Sequence, residues 1–406
     1  MYTIVNNEMF TFVNFQVYMD YNKLYTDFDT IKEKTFYGRY LDVDQLQKSI
    51  LGLPSQFEIQ EIGKSVNGIP IHCAFWGNGK KKVLAWSQMH GNETTTTKAL
   101  FDFVNYLDQE KSSDFVKQLS SECSLALIFV LNPDGAEAYT RVNANQIDLN
   151  RDALDATQPE MKALHQIYKE FTPDLCLNLH GQRTIFSAGM QPNSAVVSFL
   201  SPSVNHTRSV TSTRIKSMQL ILEMNEMLQN FIPNQVGRYD DAYNPNCTGD
   251  YFQGLATPTI LFEAGHYPND YDREETRKLI FMSYIKLFES FMNNAFACID
   301  YKAYLEIPKN QKLFYDFIFR DVFIQNQKYD LAIHYEEVLE GKQIIFEPKL
   351  VEVGNLEHSF GHHEVKINEK AMAINGQTLL KIPEINSIIK EIRTENNIFS
   401  IKILKK

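Results

Sequence analysis

The apolar run VLAWSQ (residues 83–88) gives way at once to His90 and, after Gly91 and Asn92, to Glu93. One turn at the end of a strand can bend an imidazole and a carboxylate at this spacing toward a common point, and Gly91 relieves the crowding of such a turn. A third donor follows another apolar run, LCLNL (175–179), which ends in His180. A catalytic zinc needs three nitrogen or oxygen donors and one open position. His90, Glu93 and His180 could fill that set. The HxxE pair alone reads equally well as part of a solvated loop, and His180 at a comparable position is what turns the reading toward a metal.

The elements that must hold these groups can be read from the same pattern. VLAWSQ, LALIFVL (125–131), LCLNL and TILFE (259–263) have the composition of strands buried on both faces. The second run leads into Asn132-Pro133-Asp134-Gly135, and the fourth ends at Glu263. Between the runs, apolar residues recur at helical spacing in TKALFDFVNYLDQ (97–109), EMKALHQIYKEF (160–171), RIKSMQLILEMNEMLQNFI (214–232) and ETRKLIFMSYIKLFESFM (275–292). The TTTT after Glu93 is expected to open the first of these helices. Strands alternating with helices predict an α/β sheet covered on both faces, with ligands beyond the carboxyl ends of the strands, where all four polar groups fall. From about Asp300 the chain changes to β-branched and aromatic runs separated by short polar turns. The expected division is a catalytic domain at 1–299, including a lead-in at 1–60, and a small β-rich C-terminal domain at 300–406.

The composition excludes several classes. The 406 residues carry 44% apolar and 22% charged side chains, with no apolar segment long enough to cross a bilayer. A formal charge of −10 argues against nucleic acid or an anionic membrane as a partner. Cys73, Cys123, Cys176, Cys247 and Cys298 are widely spaced, odd in number and without a CxxC pair, which predicts free thiols. The opening MYTIVNNEMFTFVNF has no basic residue before its apolar part and no small-residue cleavage site, so a cytoplasmic location is expected. His358, His362 and His363 in HSFGHH lack a surrounding carboxylate or cysteine framework and read as surface or packing residues.

Further motifs accompany the metal donors. IGKSVNGIPI (62–71) has the form GxSxxGxxI, NPDG occupies 132–135, RVNANQIDLNRD spans 141–152, and TILFEAG ends the fourth apolar run. With HxxE and a distant single His in the same order, the chain over roughly 35–295 resembles the M14 family of zinc carboxypeptidases. The resemblance implies a mixed, mainly parallel eight-stranded sheet flanked by helices, and one Zn²⁺ per chain on His90, Glu93 and His180. It implies Glu263 as general base and acid, Arg141 as stabiliser of the oxyanion, and Asn150 and Arg151 as the grip on a substrate carboxylate. A mobile tyrosine is best matched by Tyr243, with Tyr239 and Tyr251 as rivals. Three positions depart from the pattern: Gln146 stands where a glycine is frequent, Asp152 follows Arg151 and could moderate its charge, and Gly249 gives no cue to side-chain preference. The expected substrate is a small peptide or a peptidoglycan fragment cleaved at its C-terminal amide. The alternatives are an N-acyl amino acid deacylase of the succinylglutamate desuccinylase or aspartoacylase type, and a catalytically silent binding protein.

Overall fold

A computed structural model describes residues 19–401 and 404–405. The opening stretch MYTIVNNEMFTFVNF, on which the expected location rests, lies outside them. The first nine strands are β1 (Glu58–Lys64), β2 (Pro70–Trp76), β3 (Lys81–Ser87), β4 (Cys123–Ile128), β5 (Leu175–Gly181), β6 (Phe186–Ala188), β7 (Val197–Leu200), β8 (Val236–Arg238) and β9 (Thr259–Ala264). Eight of them form one sheet in the order β1-β2-β4-β3-β5-β9-β7-β8. Its centre, β4-β3-β5-β9, is parallel throughout, and so is β7-β8. The other neighbours are antiparallel. The sheet is therefore mixed, with a parallel core.

The apolar runs form the central strands because both faces are buried. Along β3, Val83 and Ala85 enter one hydrophobic cluster while Leu84 and Trp86 enter another, the two-residue alternation of a strand between two layers. Helices Thr95–Gln109, Ser212–Gln229 and Glu274–Asn293 supply the first layer, through residues such as Phe103, Leu220 and Phe288. Pro159–Phe171 supplies the second, through Met161, Leu164 and Ile167. The first helix opens at Thr95, as the threonine run predicts. Thr96 and Thr97 are buried there because Ser87 at the end of β3 satisfies their hydroxyls at 2.8 Å.

The C-terminal region adds β10 (Asn310–Lys312), β11 (Phe314–Ile324), β12 (Gln327–Glu340), β13 (Gln343–Gly354) and β14 (Phe360–Lys366). A five-stranded sheet runs β14-β11-β12-β13 and ends at residues 404–405, and a four-stranded sheet of two- and three-residue strands packs nearby. The run HEVKINEKAMAI (363–374) is split between β14 and Ala373–Ile374. Asn368, with φ of 52°, turns the chain between them.

This region is docked on the first. β10 pairs antiparallel with β6, with Lys312 opposite Phe186. Tyr139 and Tyr271 cluster with Ile344 and Phe346, and Arg39 pairs with Glu337 at 3.0 Å. His362 is half-buried in the same seam, bonded to the Thr184 carbonyl at 2.8 Å and stacked on Phe314, a packing role as read from its surroundings in sequence. All five cysteines are free, and among the described residues no helix is long and apolar enough to cross a membrane.

Candidate metal centre and cleft

His90 stands on a turn that two other motifs clamp. Gln88, at φ of 43°, ends the extended run, and its Nε2 donates to the Gly91 carbonyl at 2.8 Å. The Glu93 amide donates back to the His90 carbonyl at 3.1 Å. Asn132, the first residue of NPDG, donates to the Met89 carbonyl at 3.1 Å and accepts from the Gly135 amide at 2.9 Å. A Cβ on Gly91 would lie 1.9 Å from the Gly135 carbonyl carbon, so the two turns touch backbone to backbone. Ser65 from the GxSxxG lead-in closes the set, donating to Asp134 at 2.7 Å. These motif residues hold the His90–Glu93 turn in place.

His180 ends β5, and its register partner on β9 is Glu263. The parallel centre of the sheet thus delivers a donor and an acid side by side. Ligand atoms of His90, Glu93 and His180 all lie within 4.8 Å of one another. Glu93 lies between both rings, its Oε1 2.8 Å from His90 Nδ1 and its Oε2 2.9 Å from His180 Nδ1, and Oε2 accepts from the Gly181 amide at 3.0 Å. The two Nδ1 atoms are 3.1 Å apart, a separation at which both cannot carry protons. His90 Nε2 lies 2.9 Å from Asp148 Oδ1, which assigns the ring proton to Nε2 and leaves the Nδ1 lone pair facing the other donors. This donor set fits a zinc ion.

The charges follow from that arrangement. Burial would raise the Glu93 carboxyl, but the two imidazoles outweigh it and hold the group well below the carboxylate range. Burial likewise opposes ionisation of Asp148, and His90 and then Arg141 hold it well below its ordinary value. Glu263 goes the other way. Burial pushes it well up and the Glu93 charge adds to this, against Arg141 and Arg273. Its Oε2 is buried and has no hydrogen-bond partner among the described residues.

These groups open onto a cleft of about 460 Å³ that Arg141, Asn150 and Arg151 also line. Arg141 bonds Asp148 through Nε at 3.0 Å and reaches Glu93 at 3.4 Å. Asn150 Oδ1 accepts from the Thr248 amide at 2.9 Å, and Arg151 bonds the Asn150 carbonyl and Cys247 Sγ. Asp152 does not moderate Arg151. It is buried and spent on Thr157 and on the Gln158 amide, at the start of helix Pro159–Phe171. Gln146 adopts φ of 60°, the left-handed conformation that makes glycine frequent at this turn.

The three candidate tyrosines sit in different surroundings. Tyr243 does not line the cleft; its ring meets His206 edge-on at 4.8 Å. Tyr251 stacks on His165 at 4.8 Å. Tyr239 is the one that lines the cleft, its hydroxyl raised by burial and by the Glu263 and Glu93 charges. Sequence reasoning also passed over Asp148. The only signal for it was an acid standing between Arg141 and Asn150 in a run already singled out.

Residues 44–152 match the model of the family described as zinc carboxypeptidase, Peptidase_M14. The chain is zinc carboxypeptidase-like. Carboxypeptidase SOL1 of Arabidopsis thaliana is 27% identical over 163 residues, 35% of this zinc carboxypeptidase-like chain and 33% of that protein. The chain thus matches only about a third of the length of that curated relative. A metallo-carboxypeptidase from Burkholderia cenocepacia superposes with a TM-score of 0.51 at 17% identity, over 62% of this chain and 70% of the other. Bovine thrombin-activatable fibrinolysis inhibitor, solved with tick carboxypeptidase inhibitor, gives 0.52 at 14% identity, over 63% and 98%. At these identities the structural likeness is one of fold. The family resemblance read from the motifs is borne out.

Proposed function

We propose that the chain is a zinc metallopeptidase that hydrolyses the C-terminal peptide bond of a small peptide, or the equivalent amide of a peptidoglycan fragment, with one zinc ion per chain. The observation that carries this reading is the convergence of His90, Glu93 and His180 within 4.8 Å at a cleft that also contains Glu263, Arg141 and Arg151. A zinc ion on those three residues supplies a Lewis acid that polarises the scissile carbonyl and acidifies a water.

The chain's own residues do the rest. With the Glu93 charge offset by a bound zinc ion, Glu263 would ionise, accept the proton of the attacking water at its partnerless Oε2, and return it to the leaving nitrogen. Arg141 is fixed by Asp148 and half-exposed toward the cleft, so its guanidinium can meet charge that develops on the carbonyl oxygen. Arg151 pairs with no carboxylate among the described residues, which leaves its fork for the substrate's terminal carboxylate, with Asn150 beside it. Tyr239, rather than Tyr243, is the aromatic that covers the bound residue. In this reading residues 1–299 form the catalytic part and 300–406 the β-rich part.

The test uses the zinc-loaded full chain, a tripeptide and the same tripeptide amidated at its C-terminus. Hydrolysis of the free acid with release of its last residue is expected, with the amide at least about tenfold slower, as loss of a charge-assisted pair requires. Equal rates would overturn exopeptidase action. Activity confined to single N-acyl amino acids would make the chain a deacylase.

A further inference from the structure

The cleft continues past the metal donors. A second cavity of about 620 Å³ runs from Glu93 and Arg141 to the C-terminal sheet, where His334, Lys349 and Val351 on β12 and β13 form its far wall. The two cavities share Glu93, Arg141, Gly181, Gln182 and Arg183, so both open onto the donors. Asn150 and Arg151 line only the first. A peptide whose terminal carboxylate sits at that pair must send the residues before its scissile bond elsewhere, and the second cavity is the continuous way out.

Charge in this second cavity runs against the chain as a whole. The protein carries −10, yet the cavity is lined by Arg39, Arg141, Arg183, Arg273 and Lys349 against Glu93, Glu336 and Glu337. Each acid is already engaged: Glu93 by the imidazoles, Glu336 by Lys349, and Glu337 by Arg39 and Tyr139. Two of the cations have no carboxylate. Arg183, three residues beyond His180, is exposed and has no hydrogen-bond or ion-pair partner among the described residues. Arg273 is 2% exposed, donates only to the carbonyls of Ala264, Gly265 and Gln182, and has a partnerless Nε. A guanidinium held out of water without a counter-ion is costly, and an entering carboxylate relieves that cost.

We propose that this second chamber receives the acyl part of the substrate and selects an acidic side chain on the residue just before the scissile bond. Arg183 contacts that carboxylate and Arg273 reinforces it from behind. The inference rests on the peptidase reading for the direction of the substrate, and it makes the C-terminal sheet a wall of the binding site.

N-acetylglutamate and N-acetylglutamine are the acyl products of cleavage after those residues and differ only in the side chain the second chamber would hold, so their binding to the zinc-loaded full chain, with the Asn150–Arg151 site filled by a saturating free amino acid, can be compared by calorimetry. The glutamate ligand should bind at least about tenfold more tightly, the scale of one charge-assisted hydrogen bond. Arg183→Ala should bring the two ligands within about twofold, and Arg183→Lys should keep part of the difference. Tripeptides with Glu or Gln at the middle position should follow the same order in kcat/KM. Equal binding by the wild type, or a preference that survives Arg183→Ala, would overturn the proposal. If the tripeptides are untouched while the Arg183-dependent preference persists, the peptidase reading falls and the anion-selecting chamber stands.

Discussion

Asp148→Asn tests how much of the metal affinity comes from a residue that touches no metal. The Asp148 carboxylate uses one oxygen for His90 Nε2 at 2.9 Å and the other for Arg141 Nε at 3.0 Å. Asparagine keeps a single acceptor, and its amide would turn a donor toward a donor. One charge-assisted bond is therefore lost, ~1.5–3 kcal/mol, which converts to ~10–100-fold in an equilibrium constant. The side chain is 23% exposed, so water recovers part of the loss and the lower end, roughly tenfold, is expected. That agrees with the ~10–100-fold cost of removing the partner of a metal-bound histidine. The assay is a competition for zinc between the protein and a fluorescent chelator, with circular dichroism of the variant as a check on folding. His90 and Arg141 hold Asp148 well below the usual carboxylate range, so it stays ionised on mild acidification and the gap should persist from about pH 7 to about pH 5. A folded variant whose zinc affinity lies within about twofold of wild type would refute the idea that Asp148 sets the His90 tautomer.

Three further outcomes are expected. Glu263→Gln should keep the fold and full zinc by metal analysis while kcat falls by ~10²–10⁴, because glutamine cannot take the proton of the water; a loss under about threefold would remove Glu263 from the mechanism. Arg151→Ala should lower activity on a free tripeptide acid to the level of its amide and change the amide little; equal losses on both would mean a structural role. Glu274 holds Lys98, Lys32 and Arg277, and although burial opposes ionisation these cations bring its carboxyl from 4.5 to about 2. Its stabilisation is thus complete above about pH 4.5 and is lost as pH falls through about 2. Glu274→Gln should cost about 3 kcal/mol at pH 7 in denaturant titrations, with the gap narrowing as pH falls below 4.5; a gap that does not change with pH would sink this account.

The centre of the sheet was legible because β3, β4, β5 and β9 are continuous apolar runs, a pattern that only burial on both faces explains. The convergence of His90, Glu93 and His180 was legible for a related reason, since polar groups that follow neighbouring parallel strands meet at one edge of the sheet. Strands β6, β7 and β8 span three or four residues each, too few to carry a period, and owe their conformation to the neighbours that pair with them. Tyr239 and Tyr243 cannot be told apart by spacing. The Tyr239 amide bonds the Phe199 carbonyl at 3.0 Å, which fixes it at the end of β8 beside the cleft. Tyr243 lies four residues further into a loop, and no count back from Glu263 distinguishes the two. Lys312 had no signal either, because it joins the cleft through the pairing of β10 with β6, more than a hundred residues away in the chain.

The contact between Gly91 and Gly135 has a consequence for anyone who wishes to move this site. With a Cβ at position 91 placed 1.9 Å from a backbone carbon, neither turn can change its path without displacing the other. HGNE grafted alone onto a new scaffold would bring its two ligands but leave behind the surface that aims them. The transplantable module is the pair of turns together, with Asn132 as the pin between them. A library that randomises one while holding the other constant should return inactive clones even when every metal ligand is intact.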